Sequence, residues 1–182
     1  DPEMARLCDV GRTQLKILKQ CIVASFADSR FNATELKELG YAKIGILPLL
    51  DLTELPEKFP KRRTLKPVRR GVKLIFVGRI APHKNQALLI NIFFYLKPML
   101  PKHSRLILVG TGDRVYLDYL KLLSRQLGLQ SSVVFTGHVT DQDKERMFSA
   151  ATAFLCTSLH EGFCVPLVEA MKHGLPVFAI PT

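Results

Sequence analysis

From residue 71 onward, short runs of Val, Ile, Leu and Phe alternate with longer amphipathic segments, and this alternation leaves few folds open. The apolar runs fall at 72–77, 105–109, 133–135, 153–156 and 177–180. Between them the spacing predicts helices over 86–96 (stopped ahead of Pro98), 113–127, 141–150 and 165–173. Strands that are apolar at nearly every position belong to a sheet covered on both faces. Strict alternation of such strands with helices gives an α/β fold, a doubly wound parallel sheet. In sheets of this kind ligands bind beyond the carboxyl ends of the strands. The chain stops at Pro181-Thr182, just past a strand, so the sheet is expected to be incomplete.

The first 70 residues are organised differently. A loose helical face (Met4, Leu7, Val10, Leu15, Leu18) predicts a helix over 3–20, followed by a strand at 21–25. Ser29 or Asp28 can cap a second helix, stopped by Gly40, and a strand follows at 44–47. Two strands are too few for a sheet of their own, so 1–54 reads as the tail of a domain that begins earlier. Residues 55–70 hold three prolines and seven cations without apolar periodicity, which reads as a basic linker ahead of a domain over 71–182.

Composition narrows the function. The chain carries a net charge of +10, but seven of the cations (Lys58, Lys61, Arg62, Arg63, Lys66, Arg69, Arg70) sit in the linker. A solvated linker is the first reading of that stretch and contact with anionic lipid head groups the second. No RNA-binding aromatic motif, zinc-finger spacing or recognition-helix pattern accompanies the charge, so nucleic acid is not an expected partner. The four cysteines show no C-x-x-C spacing, and Cys21 and Cys156 lie in apolar runs as buried thiols do. A reducing compartment follows. No apolar segment reaches transmembrane length. The expectation is a cytoplasmic protein, with peripheral contact at the inner face of a membrane as its only lipid association.

Chemistry concentrates at the predicted strand ends. After the first strand, Gly78-Arg79…Lys84 places two cations on one strand-to-helix loop, where free backbone N–H groups and charge together suit a phosphate. Gly110-Thr111-Gly112-Asp113 is either a tight turn into a capped helix or a point of close ligand approach. Gly137-His138-Val139 can pass its backbone along a nucleobase edge. After the fourth strand, Glu161 and Glu169 flank Gly162-Phe163-Cys164-Val165-Pro166, with Pro166 in the first turn of a helix. Helical rise places the two carboxylates roughly 10 Å apart on either side of a positive helix N-terminus. Such an array suits a ligand with hydroxyls at both ends and an anion between, as in a nucleotide-sugar. The histidines, His160 included, show neither metal-ligand spacing nor a nucleophile to activate.

Taken in order, Gly78-Arg79…Lys84, Gly110-Thr111-Gly112, Phe135-Thr136-Gly137 and Glu161-Gly162-Phe163…Pro166-Leu167…Glu169-Ala170 resemble the donor-binding half of a retaining glycosyltransferase of family four, with the GT-B fold. Mannosyltransferase-like members are the nearest in feel. The resemblance implies a Rossmann-like half of a GT-B fold, incomplete at both ends. It also implies transfer of a hexose, mannose foremost, from a GDP- or UDP-linked donor to a glycan or lipid-linked acceptor, as in polysaccharide biosynthesis. By the same resemblance Arg79 and Lys84 hold the diphosphate as catalytic cations, Glu161 binds the transferred sugar and Glu169 the ribose. Gly78, Gly110, Gly112, His138, Val139, Gly162, Phe163, Cys164 and Val165 contribute donor-binding backbone. No metal or other cofactor is implied. The family commonly has Gly where Asn85 and Cys164 stand. Its acceptor domain would lie before Asp1, so the chain alone is expected to bind donor weakly and to transfer sugar hardly at all.

Rival readings stay open at this stage. Another GT-B enzyme (an epimerase or a phosphorylase), a non-catalytic nucleotide-sugar-binding or scaffold module of the same fold, and a basic nucleic-acid binder each fit part of the pattern.

Overall fold

The chain divides into two units, Asp1–Leu52 and Thr53–Thr182; the computed structural model describes residues 2–47 and 71–181, the side chains of 2–4, 7 and 8 excepted. In the first unit, α1 (Pro2–Leu18) closes through a turn in which the Cys21 N–H donates to the Leu18 carbonyl (2.9 Å). That bond keeps Cys21 in the helix-closing turn. The strand expected at 21–25 therefore starts later, as β1 (Ser25–Ala27), and Cys21 is exposed rather than buried. α2 (Arg30–Glu38) is capped as expected: Ser29 Oγ accepts from the Asn32 N–H at 3.2 Å. Asp28 Oδ1 takes the Asn32 side-chain amide at 2.6 Å. β2 (Ile44–Ile46) pairs parallel with β1, Phe26 opposite Gly45. Tyr41 is buried, its hydroxyl donating to the Leu15 carbonyl of α1 at 2.7 Å. The basic linker expected at 55–70 lies outside the described residues.

In the second unit, β3 (Lys73–Val77), β4 (Arg105–Val109), β5 (Val133–Gly137), β6 (Ala153–Cys156) and β7 (Val177–Ala179) form one parallel sheet in the order β5-β4-β3-β6-β7. β3, β4 and β6 are apolar at nearly every position because each supplies two cores. Leu74 and Phe76 of β3, Leu106 and Leu108 of β4, and Leu155 of β6 point to one face. There they meet Leu89, Ile90 and Phe93 of α3 (Gln86–Leu96) and Leu120 of α4 (Arg114–Gln126). Ile75, Val109, Phe154 and Cys156 point to the other, against Phe148 of α5 (Asp141–Ala150) and Ala170 of α6 (Val165–Lys172). The period-two alternation of side chains puts both sets within reach of a helix layer. The doubly wound α/β sheet expected from the sequence is what forms. Helix limits shift by a residue or so where caps take over, Asp113 accepting from the Tyr116 N–H at 2.7 Å and His173 closing α6.

The strand order reverses between β3 and β6. Chain progress β3-β4-β5 runs one way, then returns to place β6 on the opposite side of β3. In open α/β sheets that reversal leaves a crevice at the carboxyl ends.

Phe154 sits on the central part of this sheet, fully buried, its ring 6.2 Å from that of Phe148. Phe154→Ala is expected to lower the unfolding free energy by about 3–5 kcal/mol, through lost transfer energy and the cavity left behind. Urea unfolding of the chain measures this, and a loss under about 1 kcal/mol would contradict the two-core description.

Candidate functional site

Beyond the sheet, the loops after β3, β4 and β5 are knitted by backbone. The Gly78 N–H donates to the Val109 carbonyl (3.0 Å), Ile80 N–H to Thr111 (2.9 Å), Asp113 N–H to Ile80 (3.0 Å) and Gly110 N–H to Gly137 (3.0 Å). The approach is so close that a Cβ on Gly110 would overlap the Gly78 carbonyl, and one on Gly112 the Ile80 carbonyl. Loop-to-loop packing thus requires these two glycines whatever binds nearby. The same loops enclose an open cleft of about 520 Å³, lined by Gly78, Arg79, Gly110, Gly112, His138, Val139, Asp141 and Lys144 among others. Arg79 is exposed at its edge and forms no ion pair with a described carboxylate. A second hollow of about 540 Å³, lined by Val72, Leu89, Leu155 and Phe178 among others, is almost wholly apolar and offers a charged ligand nothing.

The switch point is bridged by charge. Lys84, at the end of the 3₁₀ turn Pro82–Lys84, and Glu161, on the loop after β6, meet at 2.7 Å with side chains 18% and 17% exposed. Two hydrogen bonds run alongside: Thr157 Oγ1 donates to the Asn85 carbonyl (2.9 Å) and the Leu159 N–H to the His83 carbonyl (2.8 Å). Burial alone would push the Glu161 carboxyl up, but the Lys84 ammonium and the Ser158 hydroxyl outweigh it and hold the group below the ordinary carboxylate range. The charged form is therefore the native one. Its contribution to stability is present in full above the ordinary Glu value and fades as pH falls through the lowered folded value. His83, beside this pair, is pushed down by burial and then by Lys84.

The second acid is also held. Glu169, one turn into α6, accepts from Lys144 Nζ at 2.9 Å, and Lys144 reaches Asp141 at 3.2 Å as well. Glu169 raises the Lys144 amine against the opposing effect of burial. Lys144 lies on α5 and joins the cleft; the sequence offered no signal for it, because its partner is 25 residues away. Gln86 was missed for a similar reason. It is fully buried under the Arg79–Lys84 loop, where its side-chain amide donates to the Arg79 carbonyl at 2.8 Å and fixes that loop from beneath.

The start of α6 carries the most unusual backbone. Cys164 occupies the N-cap position in the left-handed region (φ 54°, ψ 59°), and Asn85, ahead of α3, does the same (φ 53°, ψ 41°). Among described residues only Lys43 joins them as a non-glycine with positive φ. These are the two positions where the resembled family commonly has Gly, so glycine-like geometry is retained without glycine. Gly162 and Phe163 lead into this turn and Pro166 occupies the first turn of α6, as expected. Cys156, buried at the end of β6, lies 4.0 Å from Cys164 Sγ, 3.4 Å from Ser158 Oγ and 3.9 Å from Glu161 Oε1. Hydrogen bonding from Cys164, against burial, draws the Cys156 thiol down to about 6, and the same contact pushes Cys164 up.

Lys84 and Glu161 therefore meet across the switch point of a Rossmann-like sheet, Arg79 stands at the edge of the cleft beside it, and Glu169 is held on α6 by Lys144. Residues 58–182 match the family model described as glycosyl transferases group 1, and the chain belongs to that family. It is 34% identical over 112 residues to the mannosylfructose-phosphate synthase of Agrobacterium fabrum, covering 58% of this chain and 24% of that protein. To the mouse GDP-Man:Man(3)GlcNAc(2)-PP-Dol alpha-1,2-mannosyltransferase it is 33% identical over 122 residues, 63% of this chain and 25% of that one. In fold it is similar to Anabaena HepE, solved in complex with UDP and glucose, with a TM-score of 0.74 at 22% identity, covering 92% of this chain and 48% of the other. The chain thus spans about a quarter of these relatives and about half of the structural neighbour. The neighbours are GT-B enzymes, and the sheet is the Rossmann-like half of that fold.

Three outcomes are expected of variants. Lys84→Ala leaves Glu161 buried without its adjacent cation, so its carboxyl pKa should rise, the Ser158 hydroxyl opposing burial less effectively, as read by carboxyl carbon NMR. At Cys164, glycine removes a left-handed penalty of about 1–2 kcal/mol but costs about 0.5–1 kcal/mol in chain entropy and some packing. Cys164→Gly should therefore leave stability within about 1 kcal/mol of the parent. The β-branched Cys164→Val should destabilise by about 1–3 kcal/mol in the same unfolding experiment.

Proposed function

We propose that the chain is the donor-binding half of a retaining glycosyltransferase that transfers a hexose, mannose foremost, from a GDP- or UDP-linked sugar to a glycan or lipid-linked acceptor. The single observation that carries this reading is the Lys84–Glu161 pair across the switch point, beside an Arg79 with no described carboxylate partner. A nucleoside diphosphate sugar needs cations for its diphosphate and acceptors for its hydroxyls, a few ångströms apart. In this reading the diphosphate lies between Arg79 and Lys84, and the sugar hydroxyls donate to Glu161. On donor binding each member of the pair exchanges one partner for another, so neither charge is left bare. Glu169, held in place by Lys144, accepts from the ribose hydroxyls. Backbone N–H groups around Phe163, Cys164 and Val165, free at the start of a helix, face oxygens of sugar or phosphate. The base passes along Gly137, His138 and Val139.

The reaction follows from where charge develops. As the glycosidic bond breaks, negative charge grows on the departing diphosphate, and two preorganised cations lower that barrier more than they favour the bound ground state. Glu161 is a binding residue here rather than a proton carrier, since its lowered pKa leaves it ionised. Names of relatives that are mannosyltransferases, and a structural neighbour that holds UDP and glucose, support the donor class.

Calorimetry of the chain with UDP and GDP tests the reading. Arg79→Ala should weaken diphosphate binding by about 10–100-fold, the worth of one or two charge-assisted hydrogen bonds. Glu169→Ala should weaken the nucleotide but leave inorganic pyrophosphate unaffected. Unchanged affinity in both variants would mean that the donor binds elsewhere.

A further inference from the structure

Between β6 and α6, three ligating side chains converge that donor binding does not jointly explain. Cys156 Sγ, Cys164 Sγ and a Glu161 carboxylate oxygen all lie within 4.8 Å of one another. We propose that they form a thiolate–carboxylate site for a soft divalent cation of the zinc class. Tetrahedral zinc accepts sulfur at about 2.3 Å and carboxylate oxygen at about 2.0–2.2 Å, which sets ligand atoms roughly 3.5–4 Å apart. Two separations, 4.0 Å between the sulfurs and 3.9 Å from Cys156 Sγ to Glu161 Oε1, stand near that edge length, and the third, from Cys164 Sγ to the carboxylate, lies within 4.8 Å. Side-chain rotation of Cys164 and Glu161 that draws the third edge in closes the site, and a water completes the fourth position.

Charge and backbone both suit it. Glu161 uses its two oxygens separately: Oε1 faces the thiols and Oε2 holds Lys84 at 2.7 Å. The carboxylate can therefore ligate a metal without giving up its ion pair. Two thiolates, one carboxylate and a dication sum to a single negative charge, which the Lys84 ammonium offsets. As the two metal–sulfur bonds form, the two thiol protons pass to solvent, and no electron is transferred. The left-handed turn at Cys164 positions its thiol: the helix begins there, and the side chain is half-buried against the apolar layer that holds Cys156. Ser158 Oγ, buried and 3.4 Å from Cys156 Sγ, steadies that sulfur as well.

Cobalt is the probe. Reduced chain carrying Cys8→Ser and Cys21→Ser, which removes the other two thiols, is titrated anaerobically with CoCl₂ and then with ZnCl₂. One equivalent of cobalt should produce thiolate-to-cobalt absorption with the visible bands of a tetrahedral ion, and zinc should abolish both. Cys164→Gly, a variant expected to fold, should lose the spectrum, as should Cys156→Ala. Glu161→Gln should keep the sulfur band but weaken cobalt at least by the ~10-fold that even outer partners of a metal contribute. Absence of the band in the parent, or its survival in Cys164→Gly, overturns the site. Because Glu161 is shared, zinc should also weaken UDP-sugar binding; this consequence rests on the donor reading, whereas the cobalt spectrum does not, so the two fail separately.

Discussion

The seam between β3 and β6 is the constraint on which the rest of the second unit depends. The paired strands themselves contribute only two residue pairs, Leu74 with Ala153 and Ile75 with Phe154. Past the strand ends the seam continues through Thr157 to Asn85, Leu159 to His83, and Lys84 to Glu161. Those contacts join segments more than 70 residues apart in sequence. They bring the loop that carries Arg79 and Lys84 to the loop that carries Glu161. Without them the two loops would be flexible excursions over a crevice; with them, they are a preorganised site.

Two helices begin beside this seam, and both begin in the left-handed region. Asn tolerates that conformation because its short polar side chain can satisfy itself locally, while Cys has no such help. The geometry at Cys164 is imposed by its surroundings, with Pro166 setting the first turn of α6 and Glu161 anchored to Lys84. A backbone held in a sparse region by its neighbours is a common property of sites that position ligands.

Much of this was legible in the sequence for a specific reason. The strands of the second unit are apolar on both faces, and a pattern so pronounced has one common structural solution. Asp113, Ser29 and Pro166 marked helix starts through local chemistry that depends on nothing distant. Other features were not legible. Cys21 looked buried by composition, but a single turn-closing hydrogen bond holds it outside β1. Lys144 and Gln86 act through partners that only the folded chain brings near, so no spacing rule could reveal them. The glycine pair Gly110 and Gly112 was ambiguous between turn and ligand approach, and the structure adds a third cause, contact with the neighbouring loop's carbonyls.

The bond from the Leu159 amide to the His83 carbonyl has a consequence for motion. It spans the two loops rather than stabilising either one, and the Thr157 hydroxyl bond beside it does likewise. Neither loop can lift away while keeping these bonds, so local opening at the crevice is a joint event with one free energy, set by the seam. The cation loop and the acid loop are thus tied into one unit rather than standing as two independent arms.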